Sequence, residues 1–545
     1  MKVLIIGGVA AGTKTAAKLK REDRSLDITI LTKGKDISYA GCGLPYYVGN
    51  VIPNKEQLIV NTPESFEKLT GVKVRTEMEV TALHRQEKTV DVKNLATGET
   101  EVCSYDKLVI ATGASPIKPP LPGLELPGVY FMRTPQDAIT LRENLDTGNV
   151  KRAVVVGGGF IGLEVAENLA SKGVKVSVLD MAPQILPGFA PEFAEYVENH
   201  LADQGIMCFT GTKLEGILGE GKVEKVKTDR RAMKADLAVL SIGIRANTGF
   251  LADTGIELMP NRTVKVNQYM QTNDEDIYAL GDCAMVTNRL TGAPQWSPMG
   301  SSANIEGRVA AMNIAGHANA YPGVLGTAVC KLPDLNCGRC GITEEQAMEA
   351  GFAPETVITV VDDKAHYYPG AASFTVKMVG DKNTHKLLGL QVLGKGAVDK
   401  MVDIAVAVIS LGGTVDDISS MDFAYAPPFS TAIHPIAHTA NVWLNKVSGN
   451  FNTLTPAEFR KNGVPEGYRI VDASPAPTIK GAPYVDLSTL DGPVEGLDKD
   501  DKLLLICAKG KRAYMVQNRL KYFGYTNTLV LEGGLSFNSL DDEEE

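Results

Sequence analysis

The sequence predicts an α/β fold of several domains, and three observations carry that prediction. Two apolar runs, residues 2–6 and 153–156, each lead into a glycine-rich turn and a helical stretch, the pattern of a βαβ nucleotide-binding unit. A third run, LLLIC ending at Cys507, leads through AKGKRA into an amphipathic helical stretch. At 545 residues the chain has room for three or four such domains, and its 54 glycines fit many tight strand-to-helix turns. A net charge of −10 argues against nucleic acid as a partner. No apolar run reaches the ~18 residues that a membrane helix needs, so no membrane partner is expected. MKVLIIGG is read as a buried first strand rather than a signal peptide.

In the first βαβ unit Gly7, Gly8 and Gly12 occupy the turn, which lets the backbone approach a pyrophosphate and aims helix N–H groups at it. Val9 stands at the middle position of a strict G-x-G-x-x-G, and Thr32 stands where an acid would grip a ribose. The second unit is complete. Gly157, Gly159 and Gly162 fill all three glycine positions, and the next strand ends at Asp180, whose carboxylate can accept from both ribose hydroxyls. Met181, Ala182 and Pro183 follow without an arginine for a 2′-phosphate, which favours NADH over NADPH. Two further segments, YDKLVIATGASP (105–116, with Thr112 and Gly113) and TNDEDIYALGDCA (272–284, with Gly281 and Asp282), complete the set.

These four segments, in this order and spacing, resemble the FAD- and NAD-dependent pyridine nucleotide–disulfide oxidoreductases over roughly residues 1–445. The resemblance implies two Rossmann-like domains. An FAD domain would comprise 1–115 and 240–320, an NAD domain 116–239 would be inserted in it, and an α+β dimerisation domain would span 321–445, making the protein a homodimer. It also implies that Asp282 holds the ribityl or pyrophosphate part of FAD, that Phe160 gates the flavin face, and that Glu164 lies near the same stack.

Eight cysteines are too few and too scattered for a secreted disulfide framework, so a reducing cytoplasm is expected and most of them are read as inert core residues. Cys42 stands apart. It lies between glycines in ISYAGCGLPYY, and a helix starting at LPYY would lower its pKa towards a thiolate. The motif S-Y-x-x-C-G-L-P-Y-Y is similar to the single-cysteine branch that holds NADH oxidases, NADH peroxidases and coenzyme A-disulfide reductases. LPYY looks like the coenzyme A-disulfide and persulfide reductases in particular. In that subgroup Tyr367 (AHYYPGA) and Tyr425 (FAYAPPFS) would reach the active site, Tyr425 from the partner subunit. Lys14, Lys18 and Arg21 share one helix face and, with Ser38, would hold the 3′-phospho-ADP end of coenzyme A. Cys337 and Cys340 form a C-x-x-C that departs from the branch and leaves a second dithiol or metal contact open, although two cysteines fall short of a zinc site and no metal is expected. His434 and His438 receive no role.

KVSGNFNTL (446–454) is polar and aperiodic and reads as a linker; an α/β domain then follows over 455–540. C-A-K-G-K-R-A resembles the active-site loop of rhodanese domains, and LEGGL (531–535) the turn that closes that fold. Cys507 would carry a persulfide in a nest of backbone N–H groups, with Lys509, Lys511 and Arg512 adding positive charge. Ser474 departs from the arginine that many rhodaneses carry, which puts thiosulfate sulfurtransferase activity in doubt. The acidic tail DDEEE is expected to lack fixed structure.

The reading that joins these parts is an NADH-linked flavoprotein. It would reduce persulfides, polysulfides or coenzyme A disulfide at Cys42 and handle sulfane sulfur on Cys507. The alternatives are an NADH peroxidase or oxidase cycling Cys42 through sulfenic acid and, from another class, a non-catalytic redox sensor or sulfur carrier.

Overall fold

A computed structural model describes residues 1–540; the acidic tail lies outside the described residues. The chain forms two compact units. One is Met1–Pro187 with Leu201–Val324, the other Gly188–His200 with the chain from Leu325 onward.

The first unit holds two parallel sheets. In one, the strands run in the order Ile277–Ala279, Lys107–Ile110, Lys2–Ile6, Asp27–Leu31, Lys73–Arg75. Residues from both ends of the unit therefore build a single sheet. After Lys2 its central strand is a run of buried apolar residues, Val3 to Ile6, because both faces are covered. Helix α1 (Ala10–Glu22) follows the first strand, and α2 (Leu44–Val48) follows a tight turn at Gly41–Gly43.

The second sheet lies between these stretches in sequence. Its order is Ile206–Phe209, Lys175–Leu179, Arg152–Val156, Leu237–Leu240, Val129–Tyr130, all parallel, with α3 (Phe160–Ser171) after the central strand. The chain enters and leaves this insertion side by side, Ala114–Pro116 pairing with Ile244–Ala246. One stretch expected within 116–239 belongs elsewhere. Most of α4 (Pro191–Asp203) packs with the second unit. There the Glu192 carboxylate meets Lys377 at 2.6 Å with both side chains buried, and Phe193 and Tyr196 pack on Phe537. A buried ion pair and two aromatic contacts outweigh sequence proximity. Helix α5 (Gly300–Ile314) then returns to the first sheet, so close to α1 that a Cβ on Gly307 would lie 2.9 Å from the Ala11 carbonyl oxygen.

The second unit carries a five-stranded antiparallel sheet in the order Ala328–Leu332, Leu335–Gly341, Leu387–Gly394, Ser373–Asp381, Pro354–Asp362, with α6 (Pro435–Val447) against it. It also carries a parallel sheet, Thr453–Leu454, Thr528–Leu531, Lys502–Ile506, Tyr468–Asp472, with α7 (Lys511–Tyr522) after the buried strand Lys502–Ile506.

The segment 446–454 is not a free linker. Its first residues finish α6 and its last two form a strand of the parallel sheet. Its polarity is satisfied from within: Lys446 donates to the Glu532 carboxylate and the Thr356 carbonyl, and Thr453 donates to the same Glu532.

Candidate active sites

The two glycine turns are built alike. In the first, Gly7 has φ +115° and a Cβ there would strike the Ala111 carbonyl oxygen at 2.0 Å; one on Gly12 would strike the Gly7 oxygen at 1.9 Å. In the second, Gly157 has φ +113° and faces the Ser241 oxygen, and Gly162 faces the Gly157 oxygen at the same 1.9 Å. Both turns therefore require glycine for backbone close approach. They differ at the middle position, where Gly159 has open space around it and Val9 presents a side chain. Asp180 accepts from the N–H groups of Gly158 (2.7 Å) and Ala182 (2.8 Å), which orients its carboxylate at the turn. Thr32 takes the corresponding place beside Gly8.

Gly7, Ala111 and Leu280 each follow the end of a strand in the first sheet, so the turns carrying Gly7, Thr112–Gly113 and Gly281–Asp282 gather outside the carboxyl ends of three adjacent parallel strands, the usual place for a nucleotide. Gly281 sits at φ +73° and donates its N–H to Glu306 at 2.7 Å, while Asp282 pairs with Arg133 at 2.7 Å. These residues fit an FAD site. Thr112 adds to its framework, its hydroxyl donating to the Asn247 carbonyl. Sequence reasoning missed Arg133, which lies in no motif, and Glu306. The signal for Glu306 was a lone acid within the small-residue helix SSANIEGRVAA. Burial pushes its carboxyl up to about 7, with the Gly281 N–H opposing and Asp282 adding to the rise.

Cys42 lies in the turn Gly41–Gly43, reachable from solvent on one side but crowded by protein on the other. Its thiol is held above the ordinary value, first by burial and then by the Glu164 and Asp282 carboxylates, with Arg133 opposing. This corrects the expectation of a thiolate favoured by a helix start. Helix α2 has five residues, too few to build a strong dipole end, whereas two carboxylates stand nearby. Tyr46 of the LPYY run donates to Glu164 at 2.9 Å. Phe160 is half-buried at the start of α3. Ser38, at φ +49°, accepts from Asn61. On α1, Lys18 is paired with Glu22 one turn on, so its charge is already met. Arg21 is exposed, and Arg308 and His317 add positive charge beside Glu22.

In the second unit, Tyr367 and Tyr425 are both exposed and hydrogen-bond to each other, which raises the Tyr425 phenol. The two come together within one chain, whereas the resemblance had assigned only Tyr425 to a partner. Cys337 and Cys340 do not form a dithiol: they lie three apart on one strand, hence on opposite faces, and both are buried free thiols. Burial pushes Cys340 up to about 12. His434 caps α6, stacks on Phe423, and is pushed by burial down to about 4. Burial and Lys511 lower His438 as well, with Asp362 opposing.

Cys507 is buried at the end of the strand Lys502–Ile506, and its sulfur accepts the Ala513 N–H at 3.4 Å. The turn 531–536 braces this loop: Leu535 donates to the Cys507 carbonyl and Ser536 to that of Ala508. A Cβ on Gly534 would lie 2.1 Å from the Cys507 oxygen, so only glycine fits there. The expected triple positive charge is largely answered. Lys509 is bound to Asp362 (2.6 Å) and Ser373 (2.8 Å), and Arg512 to Asp486 (2.7 Å), which leaves Lys511 as the loop cation with no carboxylate partner among the described residues. Ser474 is buried and bonded to Thr478.

Among the described residues, no helix is long and apolar enough to cross a membrane and no cluster of ligating side chains could hold a metal ion. Two nucleotide turns and two loop cysteines define a dinucleotide-dependent oxidoreductase of sulfur bonds. Residues 1–306 match the family described as pyridine nucleotide-disulphide oxidoreductase, 327–437 its dimerisation domain, and 455–536 a rhodanese-like domain; the chain belongs to the pyridine nucleotide-disulphide oxidoreductases. The solved structure of a NAD-dependent persulfide reductase from A. fulgidus is 34% identical, covering 98% of this chain and all of its own, with a TM-score of 0.93. The CoA-dependent NAD(P)H sulfur oxidoreductase of Pyrococcus furiosus is 36% identical, over 81% of this chain and 98% of its own. A protein named NADH oxidase from Methanocaldococcus jannaschii is 34% identical, over 82% of this chain and all of its own.

Proposed function

We propose that the protein is an FAD-containing, NADH-dependent reductase of persulfides, polysulfides or coenzyme A disulfide that works at Cys42, with Cys507 carrying sulfane sulfur to or from it. One observation carries the reading: a single chain holds two separately built cysteine loops, one beside a dinucleotide turn and one in a rhodanese-type cradle. Neither loop contains a second cysteine to resolve the first.

The turns at Gly7, Gly8, Gly12, Thr112, Gly113 and Gly281 hold FAD with Asp282, and Gly157, Gly159, Gly162 and Asp180 hold NADH, with Phe160 and Glu164 at the start of α3 lining the meeting point. Held by these turns, FAD would supply two-electron chemistry, linking hydride from NADH to reduction of sulfur. Cys42, as thiolate, attacks a disulfide or persulfide sulfur; one S–S bond forms, one breaks, and a thiolate or sulfide leaves. As the resemblance implies, Tyr367 and, from the partner subunit, Tyr425 would offer a phenol proton to the leaving sulfur. Reduction of the remaining mixed bond returns Cys42. The thiol's raised pKa makes Arg133 and a bound ligand the agents that draw out the thiolate. Arg21 and Ser38 hold the phosphate end of a coenzyme A substrate, with Lys18 joining them only where the phosphate displaces Glu22 from it. The dimerisation domain supports a homodimer.

The relative named NADH oxidase favours a second reading, reduction of oxygen or peroxide through a Cys42 sulfenic acid, in which the rhodanese-like domain has no part. Steady-state NADH oxidation separates the two. Coenzyme A persulfide, polysulfide or coenzyme A disulfide should be turned over with release of sulfide or thiol. Faster turnover of hydrogen peroxide than of every sulfur substrate would sink the first reading.

A further inference from the structure

The Cys507 loop is joined to the strand Pro354–Asp362 twice, by joints of different kinds. The first is Glu532, in the turn that braces the loop. Its side chain is 1% exposed, and its carboxylate accepts from the Ile358 N–H (2.8 Å), Lys446 (2.8 Å) and Thr453 (2.7 Å). A buried carboxylate with that many partners is costly to open. The second is Lys509, two residues past Cys507, bound to Asp362 and Ser373. Here both charged side chains are more than a third exposed, 39% and 36%, so the joint is weak and its partner can be exchanged. The first joint holds the loop in place while the second is free to open.

What the second joint touches gives it meaning. Asp362 and Ser373 are register partners, the last pair of two antiparallel strands. The connection between them, 363–372, carries Tyr367 and through it the bond to Tyr425. Its base is closed again by Asp363, whose carboxylate accepts the Ala372 N–H.

We infer that Lys509 is a positioning residue that links sulfur loading at Cys507 to the Tyr367 connection: it clamps the base of that connection while Cys507 is a thiol and leaves it when Cys507 carries a persulfide. The inference rests on the reading that Cys507 accepts sulfane sulfur. In that step the Cys507 thiol gives up its proton to solvent, and the resulting thiolate attacks the outer sulfur of a persulfide donor. The Cys507–sulfur bond forms, the donor's S–S bond breaks, and the donor thiolate leaves with the bonding pair and takes up the proton of the outer sulfur; nothing is oxidised or reduced overall. The product places a negative charge in a buried loop, and such a charge demands a counter-charge. Arg512 is held by Asp486, and both side chains of that pair are less exposed than those of the Lys509–Asp362 pair, whose partner is the more readily exchanged.

Hydrogen–deuterium exchange of the full-length, FAD-loaded protein tests this, before and after treatment with glutathione persulfide, with the one-sulfur mass gain on Cys507 verified in each sample. Loading should speed exchange across 363–372 about two- to fivefold, the range that an exposed ion pair supports. In Lys509→Met the segment should exchange fast already and not respond to loading, Lys509→Arg should restore the response, and Cys507→Ala should show neither adduct nor response. A clamp with only a structural role would speed exchange in Lys509→Met but leave the native protein indifferent to loading, and that outcome overturns the inference. So does a loading response that persists in Lys509→Met, which would assign the role to Lys511. Failure of Cys507 to gain sulfur at all would overturn the sulfur-carrier reading as well, whereas an adduct with unchanged exchange overturns only the link.

Discussion

Cys42 stands in a three-residue turn ahead of a five-residue helix, open to solvent, with the carboxylates of Glu164 and Asp282 outweighing Arg133 among its charged neighbours. Cys507 closes a buried strand, takes an N–H bond on its sulfur, and is followed by a twelve-residue helix. The first loop withholds the charge a thiolate needs, so reactivity there depends on what binds. The second supplies a donor from its own backbone, the Ala513 N–H. A reductase site that fires only when cofactor and substrate are present wastes fewer electrons than a permanently ionised one, while a carrier must be ready for any donor.

Removing the sulfur of the first site breaks the comparison most severely. Cys42→Ser should lower NADH-dependent sulfur reduction on the order of 10⁴-fold, as loss of a nucleophile does, while the flavin absorbance of the purified protein stays. Next in size is the buried joint behind the second site. Lys446→Met leaves Glu532 and Glu355 without their cation and should cost about 3 to 5 kcal/mol in urea unfolding of the second unit, with Cys507 becoming open to alkylation. Burial alone would lower the Lys446 ammonium, but Glu532 and Glu355 raise it, so this contribution persists at neutral pH and fades only as pH rises through its raised value.

A smaller effect sharpens the electrostatic side. Because Glu164 is among the causes that raise the Cys42 thiol, Glu164→Gln should displace the pH profile of Cys42 alkylation to lower pH and leave that of Cys507 in place. An unmoved Cys42 profile would leave burial and Asp282 as the causes. The smallest change in reductase rate is expected from Cys507→Ala. Turnover of coenzyme A disulfide should stay within about twofold, since the variant lies outside the Cys42 turn, while sulfur uptake from larger persulfide donors is lost. Equal use of every donor by this variant would argue against a relay.

Much of this architecture was legible before any coordinates. The two glycine turns and the buried strands ahead of them are local, because close approach of backbone to backbone excludes every side chain but hydrogen, and that demand is written as Gly7, Gly12, Gly157 and Gly162. The brace behind Cys507 was legible for the same reason, through Gly534. Arg133 and Glu306 were not, since each acts on a residue far away in sequence. Lys446 and Thr453 misled outright: polar residues in an aperiodic stretch read as solvated chain, yet here they meet a buried carboxylate.

Sequence by itself determined the order of domains, the two nucleotide turns and the two cysteines at issue, because these depend on backbone geometry and periodicity within a few residues. Tertiary structure alone decided the charge around those cysteines. Electrostatic character is a sum over whatever side chains packing brings near, and here packing brought acids from distant strands and helices. It set Glu164 and Asp282 beside Cys42 and joined Lys509 to Asp362.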